Sequence, residues 1–108
     1  MIKSVTQNHG FGCGVACVAA VIGVSYAKAL GLFKNPEQAW TKGYYCPDLV
    51  LALAAGKKRY SYKYLKSNRD PVLRKVGTIV FTRFSKVYPC GHYLVRTKKG
   101  WMNPWFLG

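Results

Sequence analysis

One cysteine, one histidine and two side-chain amides stand along this chain in an order that suits acyl chemistry. Gln7 lies six residues before Cys13, and Cys13 opens the apolar run Gly12-Cys13-Gly14-Val15-Ala16-Cys17. Far downstream come Gly91-His92-Tyr93-Leu94-Val95 and Asn103-Pro104. A thiol is a poor nucleophile until it ionises, and both a helix N-terminus and a nearby imidazolium favour the thiolate. Cys13 gains the first by its position, and His92 supplies the second if folding brings the two together. The Gln7 amide, with the backbone N–H of Cys13, would hold the oxyanion of a tetrahedral intermediate. Asn103 would accept the other ring N–H of His92 and fix its tautomer. Together these are the parts of a cysteine-nucleophile hydrolase.

Each residue also has a plainer use. Cysteine is among the most buried residue types, and Cys17, one helical turn into an apolar run, reads as core. The glycines around Cys13 point instead to a turn that presents it. A lone histidine in an apolar strand is often only packed, and Asn103 can simply form an Asx turn before Pro104. His9, between Gln7 and Cys13, is a rival base whose closeness in sequence strains the geometry. Cys46 and Cys90 have no matching role, although Cys90, two residues before His92, could come near the site and form a redox lock with Cys13. The cysteines and histidines are numerous enough for zinc, but no Cys-x2-Cys or paired-His spacing is present, so no metal or other cofactor is expected.

The elements that must position these groups follow from periodicity. Cys13 to Ile22 reads as a buried helix ended by Gly23. Ser25 caps a shorter helix reaching Leu30 or Leu32. Asn35-Pro36-Glu37 begins a short helical turn. Cys46-Pro47-Asp48 leads into a helix from Asp48 to Ala55, with Gly56 at its end. Tyr60, Tyr62 and Tyr64 alternate with Ser61 and Lys63, which is a strand pattern. Residues 72–76 suggest one helical turn. Residues 78–83 and 92–97 read as strands, and Lys99-Gly100 as a tight turn into Trp101-Met102. Helices come first and strands last, so the expected class is α+β, one domain over residues 1–108 with an antiparallel sheet against the N-terminal helix.

These motifs, in this order, resemble the papain-like cysteine peptidases, most closely the C39 (bacteriocin-processing) type and its small C39-like relatives. Residues 6–17 are similar to the nucleophile segment, and residues 46–53 to the family's middle helix. Gly77-Thr78-Ile79-Val80 is similar to the strand before the histidine strand, and Asn103-Pro104 to the orienting turn. The resemblance implies a papain-like fold, a peptide or protein substrate, and Cys13, His92, Asn103 and Gln7 as the working groups. It also implies cleavage at a double-glycine-type site. The C39 type usually carries Asp where Asn103 stands, whereas papain itself uses Asn.

Charge adds a second theme. Seventeen Lys and Arg face three acids, and thirteen of the basic residues lie between Lys57 and Lys99 with only Asp70 among them. Such a surplus favours nucleic acid, acidic proteins or anionic membrane, or serves only as a solvated face. Within it, residues 57–66 interleave cations with tyrosines, as a nucleic-acid surface would, or as a strand with tyrosines inward and lysines outward. With Glu37, Asp48 and Asp70 as the only acids, paired-carboxylate catalysis is close to excluded. The apolar run 15–24 is too short to span a bilayer, and no clean cleavage site follows it, so a cytoplasmic protein with cysteines as thiols is expected. The alternatives to a peptidase are an idle papain-like module that binds nucleic acid or an acidic partner, and a toxin-like domain of the same fold acting on RNA.

Overall fold

A computed structural model describes residues 2–67, 69–82 and 92–104. The chain is an α+β domain in which helices precede strands. Helix α1 is Cys13–Ile22, α2 is Tyr26–Leu30 and α3 is Cys46–Ala55, and short 3₁₀ turns occupy Pro36–Ala39 and Pro71–Arg74. The strands are β1, Ile79–Thr82; β2, His92–Thr97; and β3, Gly100–Met102. They form one antiparallel sheet in the order β1-β2-β3, with Val80 opposite Leu94, Thr82 opposite His92 and Val95 opposite Met102. Among the described residues, no helix is long and apolar enough to cross a membrane.

Helix α1 is the centre of the molecule. Residues 4–24 carry no Lys, Arg, Asp or Glu, so the helix can be surrounded without stranding a charge. Val15, Ala16, Cys17, Val18 and Ala19 have no solvent exposure at all. Helices α2 and α3 and strand β2 pack around it. Two glycines permit this closeness. A Cβ at Gly12 would collide with the Tyr26 hydroxyl, and one at Gly14 would come within 3.0 Å of Leu49 Cδ1 and 3.3 Å of the Tyr93 ring. The first turn of α1 therefore lies directly against α2, α3 and β2.

Local rules account for the other helices. The Ser25 hydroxyl accepts the Lys28 N–H at 3.1 Å and starts α2. Helix α3 begins two residues before the expected Asp48. Pro47 in the first turn needs no N–H partner there, and the Asp48 carboxylate reaches back to accept the Tyr45 N–H at 3.0 Å. The turn expected at residues 72–76 is a 3₁₀ turn at Pro71–Arg74, started by Asp70 Oδ1 accepting the Val72 N–H at 2.9 Å.

One expected element is absent. Residues 60–64 form neither strand nor helix. Alternation is necessary for a strand but insufficient, because the ladder needs a neighbour, and the edge of β1 is not paired with this segment. Only Tyr60 turns inward, its hydroxyl donating to the Gly77 carbonyl at 2.8 Å. Tyr62 is 52% exposed and Tyr64 93%, so the arrangement of inward tyrosines and outward lysines is overturned.

Burial separates the two cysteines of α1. Cys17 is wholly buried, whereas Cys13 retains 8% of its surface. Burial, with a smaller contribution from Cys13, pushes the Cys17 thiol well above its ordinary pKa and keeps it protonated. Cys17→Ser, which places a hydroxyl in this apolar contact, is expected to lower stability by about 1–3 kcal/mol. Cys13→Ala is expected to stay within about 1 kcal/mol of the parent chain. Urea melts of the two variants measure the difference, and a reversed order would remove the assignment of Cys17 to the core.

Candidate active site

The strands carry the imidazole and its partner. His92 opens β2, Asn103 follows β3, and the Val95–Met102 pairing brings the two ends to the same part of the sheet. His92 Nε2 and Asn103 Oδ1 are 2.8 Å apart. An amide oxygen only accepts, so the Nε2–H donates, and a neutral ring then carries its lone pair on Nδ1. The sequence separation of 11 residues is spanned by one hairpin, which leaves little slack in this geometry.

His92 is 1% exposed. Burial pushes its pKa below the ordinary 6.5, and the bond to Asn103 opposes that shift in part. That shift favours the neutral ring, the form in which a general base accepts a proton.

The nucleophile segment is tied to the same region. The Gln7 N–H donates to the Pro104 carbonyl at 3.1 Å, and Val5 N–H meets Met102 Sδ at 3.2 Å. The N-terminal lead thus runs beside the end of β3, next to Asn103. From there the chain turns through residues 9–12, with the Gly12 N–H bonded to the His9 carbonyl at 3.0 Å and the Phe11 N–H to Ala39 O at 2.9 Å. Cys13 is the first residue of α1, and no side chain caps that N-terminus. Tyr93, the residue after His92, packs its ring against Gly14, the residue after Cys13. The helix start and the histidine strand are thereby adjacent.

Gln7 lies beside this turn, with its donors turned inward. Its Nε2 donates to the His9 carbonyl at 2.8 Å and the Gly10 carbonyl at 3.1 Å, while its Oε1 is buried without a hydrogen-bond partner. In this arrangement the amide braces the loop before Cys13, and holding an oxyanion requires one of these bonds to be released. Asn103 bonds the ring of His92 as an orienting residue would.

His9 is engaged elsewhere. Its Nδ1 lies 3.0 Å from the Tyr26 hydroxyl, and its ring rests on Trp40 with centroids 5.0 Å apart. Tyr26 is a further neighbour of this turn. It is buried, its hydroxyl fills the space left by Gly12, and burial together with Cys13 pushes its pKa up to about 12. A glycine before the cysteine hints at a close neighbour, but nothing in the sequence identifies Tyr26 as that neighbour. Cys46 is half-buried, with the Tyr93 hydroxyl 3.8 Å from its sulfur. Cys90 lies outside the described residues, and so does any lock it would form with Cys13. Among the described residues no group of three or more His, Cys, Asp or Glu is placed to hold a metal ion.

Neither the models of known protein families, nor the curated proteins, nor the solved structures give a match to this chain.

Two outcomes follow from this geometry. The folded state holds His92 below the unfolded value of 6.5, so between the two values the unfolded chain binds more protons. Stability is therefore expected to fall as pH drops below about 6.5, with no such contribution above it. His92→Gln should flatten that part of the profile in urea melts taken across pH; an unchanged profile would mean that His92 is not the buried neutral group described. Gln7→Glu should be more damaging than Gln7→Ala, because a carboxylate would face the His9 and Gly10 carbonyls in place of a donor. Thermal melts rank the two, and equal melting temperatures would remove the bracing role.

Proposed function

We propose that this chain is a cysteine-nucleophile hydrolase of papain-like fold, nearest in type to the C39-like peptidases, that cleaves a peptide bond through Cys13. The observation that carries the reading is the 2.8 Å bond from buried His92 to Asn103, in a strand packed beside the N-terminus of the cysteine helix. A buried imidazole whose Nε2 is held by a side-chain amide is oriented as a general base requires.

In the proposed reaction the Cys13 thiol gives its proton to His92 Nδ1 while Sγ attacks the substrate carbonyl carbon. Asn103 keeps the proton on Nε2 and stabilises the imidazolium that forms. The oxyanion meets the backbone N–H of Cys13 at the start of α1, where the helix dipole favours negative charge. The Gln7 amide joins it on leaving one of its loop carbonyls. Collapse of the intermediate transfers the His92 proton to the leaving amine and leaves an acyl-thioester on Cys13. Water, deprotonated by His92, then releases the acid and restores the thiol. The substrate is a peptide or protein, with a double-glycine-type site as the first sequence to try. A reducing, cytoplasmic setting is proposed because it keeps Cys13 a thiol.

Labelling with a small thiol reagent tests the assignment, because Cys13 offers only 8% of its surface. Cys13 should react fastest of the four cysteines. His92→Ala should slow it by about tenfold or more, and uniform slow labelling would sink the proposal. On a cleavable peptide, Asn103→Ala should lower kcat more than it changes KM, while Asn103→Asp retains activity through the same hydrogen bond. An inactive Asp variant that folds normally would count against the orienting role.

A further inference from the structure

We propose that the segment from Lys57 to Lys75 is a binding surface for single-stranded nucleic acid, separate from the chemistry at Cys13. It holds eight Lys and Arg against one acid, Asp70. That acid is already engaged. Asp70 accepts the Val72 N–H at 2.9 Å and the Lys63 ammonium at 3.1 Å, and both bonds lower its pKa. The segment therefore presents a surplus of seven positive charges.

The aromatic rings decide which polyanion fits. Tyr60 is used internally, bonded to the Gly77 carbonyl. Tyr62 and Tyr64, at 52% and 93% exposure, have no such use among the described contacts. An aromatic ring left 93% exposed gains nothing from folding. Tyr64 also lines an open pocket together with Lys63, Lys66, Ser67, Arg69 and Asp70, so a tyrosine and three basic residues border the same space. The Lys63–Asp70 bridge lies at the edge of the same space.

Phosphates alone would engage the cations and leave the rings idle. A single strand offers both phosphates and bare base faces, and base–tyrosine stacking tolerates any sequence. Duplex DNA keeps its base faces stacked inside, and an acidic protein does not set a flat face beside every charge. Single-stranded nucleic acid is thus the polyanion that uses every exposed group here.

Fluorescence anisotropy of the full chain with a labelled mixed-sequence single-stranded DNA oligomer, and with the matching duplex, tests this. Single-strand affinity should exceed duplex affinity and fall by at least about tenfold between about 50 and 200 mM salt. Tyr62→Ala with Tyr64→Ala should weaken single-strand binding by roughly tenfold or more and leave duplex binding unchanged. Replacing Lys57, Lys58 and Arg59 with Gln should reduce the slope of log affinity against log salt by about 2. In every variant the rate of Cys13 labelling should match the parent chain, which keeps this test distinct from that of the hydrolase. Absence of binding at low salt, equal single-strand and duplex affinity with no effect of the tyrosines, or tighter binding to anionic lipid vesicles would each overturn the proposal.

Discussion

The close approach of α1 to its neighbours is the constraint on which the rest of this structure depends. A ten-residue helix with five consecutive residues wholly out of solvent must be enclosed by other elements, because an isolated helix of this length is marginal in water. Gly12 and Gly14 let those elements reach its first turn, where Tyr26, Leu49 and Tyr93 occupy the space side chains would need. A nucleophile at a helix start has to meet a base carried on another element, and small residues on either side of it allow that meeting. The same two glycines thus serve packing and the candidate chemistry.

The polar part of the site is set into this apolar frame at some cost. His92 is almost wholly buried, and burying an imidazole opposes its charged form. Asn103 recovers part of that cost through one hydrogen bond and in doing so selects the tautomer. The bond from the Gln7 N–H to Pro104 O then ties the N-terminal lead to the end of β3. The lead into the turn before Cys13 and the turn bearing Asn103 are thus joined by a backbone hydrogen bond. The segments that carry the candidate residues 7, 13, 92 and 103 are held by backbone hydrogen bonds as well as by side-chain packing.

Charge is distributed as if the two halves had separate duties. The nucleophile segment is uncharged from Ser4 to Val24, which permits burial. The basic residues gather in the later half, where an irregular segment exposes two of its tyrosines. The proposed ligand, with flat faces and negative charge, would engage both the rings and the cations.

Much of this was legible in the sequence. The span of α1 from Cys13 to Ile22, the α+β order and the strand opened by His92 follow from apolar runs, terminating glycines and β-branched alternation, which are local properties. His92 and Asn103 could be named as partners from residue type and order, an imidazole and a side-chain amide able to fix its tautomer. Other features were decided only when the chain folded. Tyr60, Tyr62 and Tyr64 alternate as a strand should, but a strand exists only where another edge accepts its hydrogen bonds, and none does so here. Gln7 has the residue type of an oxyanion donor, yet the direction of its two N–H groups is set by the carbonyls of His9 and Gly10, which a turn three residues later brings within reach. Tyr26 closes over Gly12 through the packing of α2 on α1, a contact no local pattern encodes. Residue type and spacing determine which groups are available and which segments carry them. Only tertiary contact, through enclosure and the competition among neighbouring hydrogen-bond partners, determines where each donor points.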